Sequence, residues 1–362
     1  MAVQVVFFGS PSFALPSLEA LLAAGHRVLL VVSQPGKPVG RKGDVTDPPV
    51  AARSKSLGIH VFQPATLTDD AAVARLAEAG ADAFVVVAYG RILAQRVLNL
   101  PRLGSLNVHG SLLPRWRGAS PVQAAILAGD PVTGVSIMKM DAGMDTGQVY
   151  AMQETRIGEE EDSASLGARL ADLGAQALIE TLYFLEGEEG RVAGSRSAAD
   201  GHEAAAGESG TAAAPRGTAG AGAPPSLAPS KRIFIPPLPQ NPSLATYCPK
   251  ITREDARVDW TRPAAELIRR GRAFTPWPGL FTVRRDSRVK LSGLSLVESG
   301  PWVREGAEIP SPGTVLEAGS RVVVACGGGA VAIGSLQVEG RRALAAAEFV
   351  RGERVAPGER WG

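Results

Sequence analysis

Only two cysteines and four histidines occur among 362 residues, so this chain has few of the side chains that usually carry metal, redox and nucleophilic chemistry. Cys248 and Cys326 stand far apart and outside any metal-ligand spacing, which excludes a disulfide framework and a cysteine-built metal site. No run approaches the roughly 18 apolar residues that span a bilayer. The opening Met-Ala-Val-Gln-Val-Val-Phe-Phe-Gly reads as a first strand and not as a signal peptide. The expectation is a soluble, reduced, cytoplasmic protein that binds no membrane. The turn after that strand, Gly9-Ser-Pro-Ser-Phe13, lacks the Gly-x-Gly-x-x-Gly spacing that cradles a pyrophosphate, which argues against a nicotinamide-dependent oxidoreductase. Strong net charge is missing as well, at +2 overall, but the charge is unevenly spread. From Lys250 onward there are 18 Lys and Arg against 13 Asp and Glu, a net of +5. A basic C-terminal third suits contact with a polyanion, although ordinary surface composition would look the same.

What the chain does have is a high apolar content, 45%, arranged in alternating short runs. Strands are expected at Gln4–Phe8, Val28–Ser33, His60–Gln63, Ala83–Tyr89, Ser105–His109, Val135–Met140 and Gln148–Thr155. Helical patterns fall between them at Pro11–Ala24, Pro49–Leu57, Asp69–Ala79 and Ser120–Leu127, then at Ser163–Leu185. Continuous apolar strands such as Ala-Phe-Val-Val-Val-Ala imply burial on both faces. The βαβα order predicts an α/β domain with a mostly parallel, doubly wound sheet over residues 1–189. Residues Gly190–Ser230 are Ala, Gly, Ser, Pro and Glu with almost no large apolar side chain, the composition of a disordered insertion. A Pro-rich stretch through Ile235-Pro-Pro-Leu-Pro follows, so 190–249 reads as insertion plus linker. From 250 to 362 a helix at Ala264–Ala273 precedes short Val-rich strands with Gly turns, the pattern of a small barrel. Trp260 and Trp277 read as core anchors of that domain.

The most informative stretch is Ser105-Leu-Asn-Val-His-Gly-Ser-Leu-Leu-Pro-Arg-Trp-Arg-Gly, followed by Asp141-Ala-Gly-Met-Asp-Thr-Gly. Asn107 and His109 are two apart and therefore share one face of a strand. An amide and an imidazole side by side can hold an oxyanion, and a carboxylate from a second loop can orient the ring and handle protons. This is an acyl-transfer site without a Ser or Cys nucleophile. His26 and His60 flank strands and His202 lies in the insertion, which leaves His109 as the catalytic candidate. On chemistry alone either Asp141 or Asp145 could be the acid.

These residues resemble the signature of the folate-dependent formyltransferases, most closely the branch that acts on methionyl-tRNA. Phe8-Gly-Ser-Pro-Ser-Phe13, Gln34-Pro-Gly-Lys-Pro-Val-Gly-Arg41, Val87-Ala-Tyr-Gly90, Asp259-Trp260 and Pro276-Trp-Pro-Gly279 extend the resemblance over nearly the whole chain outside the insertion. The resemblance implies a Rossmann-like formyltransferase domain that binds 10-formyltetrahydrofolate, and a C-terminal OB-like β-barrel domain that helps hold initiator tRNA. It selects Asn107, His109 and Asp145 as the catalytic trio, leaving Asp141 as a turn residue. Ser111, Leu112, Leu113 and Pro114 would form the tetrahydrofolate-binding segment. Tyr89, Gly90 and Ile92 would line the pterin pocket. Lys37, Arg41 and Lys42 would meet the acceptor end of the tRNA, although Asp44 and Asp47 make this loop less basic than the family's usually is. Arg269, Arg270 and Arg272, together with Arg284, Arg285, Arg288 and Lys290, are candidates for phosphate contact. The resemblance also implies a monomer and no metal. Rival readings are a formyltransferase acting on an amino sugar or on glycinamide ribonucleotide, and an inactive RNA-binding relative that keeps the fold.

Overall fold

The structure, a computed structural model, describes residues 2–39, 43–199, 231–297 and 310–362. It begins with β1 (Gln4–Gly9), α1 (Leu15–Ala23), β2 (Arg27–Val32), the hairpin β3 (Lys37–Val39) and β4 (Asp44–Thr46), then α2 (Pro49–Ser56) and β5 (Val61–Phe62). Next come α3 (Asp70–Glu78), β6 (Ala83–Val87), α4 (Gln95–Leu98), β7 (Ser105–His109), β8 (Arg117–Gly118) and α5 (Pro121–Ala128). β9 (Val132–Lys139), β10 (Val149–Arg156), α6 (Ser163–Ala199) and β11 (Lys231–Leu238) complete this part.

Eight of these strands form one sheet in the order β11-β10-β9-β7-β6-β1-β2-β5. Pairs from β7 to β5 are parallel, whereas β9, β10 and β11 join antiparallel. Helices cover both faces, and the two-residue period of the strands feeds both cores. In β1, Val5 and Phe7 pack with Leu18 of α1 and Leu178 of α6. Val6 and Phe8 point the other way, toward Leu76 of α3 and Val97 of α4. β6 alternates likewise, with Val85 in the first core and Phe84 and Val86 in the second.

Two expectations need correction. The Pro-rich stretch is not a linker but β11, which pairs with β10 through Ala151 and Ile233 at the sheet's edge. An edge strand has a row of backbone groups that need no partner, so Pro236 and Pro237 cost it little. The long helix also runs on to Ala199, into the composition expected to be coil. Residues 200–230, the rest of the insertion, lie outside the described residues.

The C-terminal part comprises β12 (Tyr247–Cys248), α7 (Ala264–Ala273), β13 (Phe281–Arg284), β14 (Ser287–Leu296), β15 (Val315–Ala318), β16 (Val322–Cys326), β17 (Gly329–Val338), β18 (Leu344–Ala345) and α8 (Ala346–Glu353). β13, β14, β17, β16 and β15 form an antiparallel sheet in that order, with β18 added on β17. Its core includes Trp260, Phe274, Phe349 and Trp361. Trp277, expected in that core, is 51% exposed. The two parts meet where Ala273 of α7 joins an apolar cluster with Ile126, Leu166 and Leu170. Ser163 Oγ also donates to the Thr275 carbonyl across this junction, at 2.6 Å. Among the described residues no helix is long and apolar enough to cross a membrane.

Candidate active site

A cavity of about 880 Å³ opens beyond the carboxyl ends of β1, β6 and β7. The strand order reverses here, because β2 and β5 lie to one side of β1 and β6 and β7 to the other. A reversal of this kind leaves a crevice above the sheet that is the usual ligand site of such folds. Phe13, Val86, Leu93, Met138 and Met140 give the cavity apolar lining, and Asn107, His109, Asp145 and Asp141 bring polar groups into it.

β7 positions two of these groups by its pleat. Leu106 and Val108 enter the core against α6, which turns Asn107 and His109 to the opposite side. Asp145 meets them from the loop after β9, with its side chain 16% exposed and that of His109 6%. Asp145 Oδ2 lies 3.7 Å from His109 Nδ1, and its Oδ1 lies 3.5 Å from Asn107 Nδ2. The first separation is an ion-pair distance and too long for a hydrogen bond. His109 Nε2 faces the Trp116 carbonyl at 2.9 Å. A carbonyl only accepts, so Nε2 carries the hydrogen and Nδ1 is left on the Asp145 side. A second proton, placed on Nδ1, makes the ring a donor on both nitrogens.

The backbone around the trio is unusual in the way functional sites often are. Asp145 has φ 52° and Trp116 has φ 58°, left-handed values that side chains other than glycine rarely adopt. Gly118, at φ 120°, gives its N–H to Asp145 Oδ2 at 2.8 Å. A Cβ there would stand 2.2 Å from the Cys248 carbonyl oxygen, so this close approach requires glycine. Asp141 Oδ1 accepts from the Gly143 N–H and from Thr146 Oγ1, which makes it the brace of its own loop.

Residues 1–182 match the formyl transferase family, and residues 250–354 match the formyl transferase C-terminal domain. The chain belongs to the formyl transferase family. It is 39% identical over 361 residues to the methionyl-tRNA formyltransferase of Thiobacillus denitrificans, covering 99% of this chain and 100% of that one. Identity to the methionyl-tRNA formyltransferase of Myxococcus xanthus is 40%, with 98% and 96% covered. Among solved structures, the sugar 3N-formyl transferase WlaRD has a TM-score of 0.57 at 14% identity, covering 94% of this chain and 100% of that one. HypX from Aquifex aeolicus, in complex with tetrahydrofolic acid, has a TM-score of 0.56 at 16% identity, covering 97% of this chain and 46% of that one. At such identities the likeness is one of fold, and the fold is that of a formyltransferase domain followed by an antiparallel, OB-like half-barrel.

The remaining candidates divide. Tyr89, Gly90 and Ile92 line the cavity, with Tyr89 buried and Ile92 86% exposed at its mouth. Ser111, Leu112, Leu113 and Pro114 do not line it. They turn behind His109, where Ser111 Oγ donates to the Arg115 carbonyl and the Leu113 N–H donates to Ser136 Oγ. Lys37 is exposed on the β3–β4 hairpin, whereas Arg41 and Lys42 lie outside the described residues. The α7 arginines have partners within the protein. Arg269 donates to the Leu127 carbonyl and Arg272 to the carbonyls of Gly158 and Glu159, both across the domain junction. Arg270 donates to the Asp255 carbonyl and covers the Phe274 ring. Burial pulls the guanidiniums of Arg270 and Arg272 below the ordinary arginine value. Arg284 is 4% exposed and paired with Glu359, so it too faces inward. Sequence reasoning missed the groups that hold the trio: the Trp116 carbonyl, the Gly118 N–H, Arg117 and Gln240. The first three sit in the Arg115-Trp-Arg-Gly118 run, but nothing local says which groups they meet.

Proposed function

We propose that this formyltransferase moves the formyl group of 10-formyltetrahydrofolate onto the α-amino group of methionine esterified to initiator tRNA. One observation carries the reading: Asn107, His109 and Asp145 converge on one cavity in a chain similar over its full length to methionyl-tRNA formyltransferases. The cavity lies within the size range of small-molecule sites and has their largely apolar lining. The donor supplies an activated formyl carbon on a nitrogen that departs as an amine.

The trio answers the charges that such a transfer creates. Attack by an amine nitrogen puts negative charge on the formyl oxygen, and Asn107 Nδ2 and a protonated His109 Nδ1 donate to it. An α-amino group ordinarily titrates near pH ~8 and is mostly protonated at neutral pH. It sheds one proton to become the nucleophile, and a second passes to the departing nitrogen as the new C–N bond forms and the old one breaks. Asp145 stands beside both donors and serves as the site through which those protons move. Lys37, Arg41 and Lys42 would guide the acceptor end. Against the C-terminal sheet, Arg253, Trp277, Arg288 and Lys290 share a second concavity of about 250 Å³ with Glu339, where Arg288 stacks on Phe281 at 4.4 Å and pairs with Glu254 at 3.4 Å. Exposed aromatic and basic groups together suit a nucleic-acid backbone. They take the place of the α7 arginines in this reading.

The test compares formyl transfer to charged initiator Met-tRNA, charged elongator Met-tRNA and glycinamide ribonucleotide, with an amino sugar as a fourth acceptor. Rapid formylation of the initiator alone is expected. Transfer only to a small molecule would move the protein to another acceptor class, and binding of tRNA without transfer would make it an inactive relative.

A further inference from the structure

Arg117 is 3% exposed, and its Nε and Nη2 both donate to Gln240 Oε1, at 3.0 and 2.7 Å. A guanidinium only donates, so this pairing fixes the amide with its oxygen toward Arg117 and its nitrogen away. Gln240 Nε2 then donates to two backbone carbonyls of the catalytic loop: that of Asp145 at 2.9 Å and that of Gly147 at 2.7 Å. These bonds hold the residue whose φ is 52°, a conformation its own local preferences do not favour. The chain just beyond Gln240 grips the other half of the trio. The Arg117 N–H donates to the Thr246 carbonyl at 2.8 Å, and the Ala119 N–H donates to that of Cys248 at 3.1 Å. The Trp116 N–H donates to Thr246 Oγ1 at 2.8 Å. The Trp116 carbonyl that accepts from His109 and the Gly118 N–H that donates to Asp145 are both set by this pairing.

We propose that Gln240, locked by Arg117, is a positioning residue for the Asp145 loop, which makes the segment between the two domains a working part of the active site. The proposal rests on the formyl-transfer reading for its kinetic test and is independent of it for its structural one. Gln240→Glu in the full-length protein keeps an acceptor for Arg117 but loses both N–H donors to the loop. Its kcat should fall about 10–100-fold, as expected for sub-ångström to 1 Å misplacement of a catalytic group, with both KM values within about two-fold of wild type. Gln240→Asn keeps the amide on a shorter arm and should recover part of that rate. Hydrogen–deuterium exchange across residues 143–148, measured without substrates, should be faster in both variants.

Unchanged exchange overturns the proposal, and so does a kcat at the wild-type level or a loss confined to KM. If Gln240→Glu fails to fold, the same comparison on Gln240→Asn decides. A wild-type protein that transfers no formyl group would sink the functional reading alone, and the exchange data would still judge the clamp.

Discussion

Asn107 and His109 on β7 and the three arginines of α7 are both polar clusters on single elements, yet one faces an open cavity and the other has partners within the protein. The difference lies in what each element borders. β7 ends next to the reversal of strand order, where its outward side chains border an open crevice as well as meeting Asp145 and the Trp116 carbonyl. α7 instead packs on α5, β14 and β17, and its arginines meet backbone carbonyls of neighbouring segments. Leu127 lies in the last turn of α5, whose final carbonyls have no partner within the helix, and Arg269 supplies one, with a charge that also suits that end of the dipole. Residue type alone therefore said little about function. The deciding fact is whether a polar group also borders an open cavity or meets only other parts of the protein.

The contrast predicts opposite phenotypes, and the largest belongs to β7. Asn107→Ala should fold normally and lose about 10²–10³ in kcat, the usual effect of removing one oxyanion donor. Single-turnover rates with saturating charged tRNA, alongside a thermal melt, provide the check. A variant that is both inactive and unfolded leaves the assignment without support, and one that keeps its rate removes Asn107 from the mechanism.

Much of this was legible from the amino-acid order because the information is local. The two-residue period placed Asn107 and His109 on one face, and the apolar runs at Val5–Phe8 and Ala83–Val87 marked strands buried on both sides. The supports of the trio were not legible. Gln240 acts on Asp145, 95 residues away in the chain, and no periodicity or motif reports such a distance. β11 was hidden by its prolines, since Pro argues against a strand unless the strand lies at an edge. That position is a property of the sheet. Trp277 misled for a similar reason, because an aromatic in a Pro-Gly turn can close a core or stand on a surface, and only the packing of β13 and β14 decides.

A smaller effect is expected from α7. Arg272→Ala removes a charged donor from the exposed Gly158 and Glu159 carbonyls and should cost about 0.5–1.5 kcal/mol, the net worth of an ordinary hydrogen bond. Its signature is a Tm lower by a few degrees with KM for tRNA unchanged. A normal Tm with a raised, salt-sensitive KM would instead return this arginine to the tRNA surface and erase the contrast between the two elements.

The smallest effect should come from Lys37, which tests whether exposure is sufficient for a contact. Its side chain stands exposed on the β3–β4 hairpin, a short distance in the chain from Asp44 and Asp47, and Asp47 is already paired with Lys55 at 2.6 Å. A single exposed cation near tRNA contributes mainly through phosphate charge, so Lys37→Ala should raise KM for tRNA only about two- to five-fold at low ionic strength. At about 0.15 M salt the screening length is roughly 8 Å, and most of that difference should vanish. The kcat should stay put, because Lys37 does not line the cavity that holds the trio. If the loss persists at high salt, Lys37 makes a close, partly desolvated contact, and the hairpin then resembles β7 more than a solvated surface.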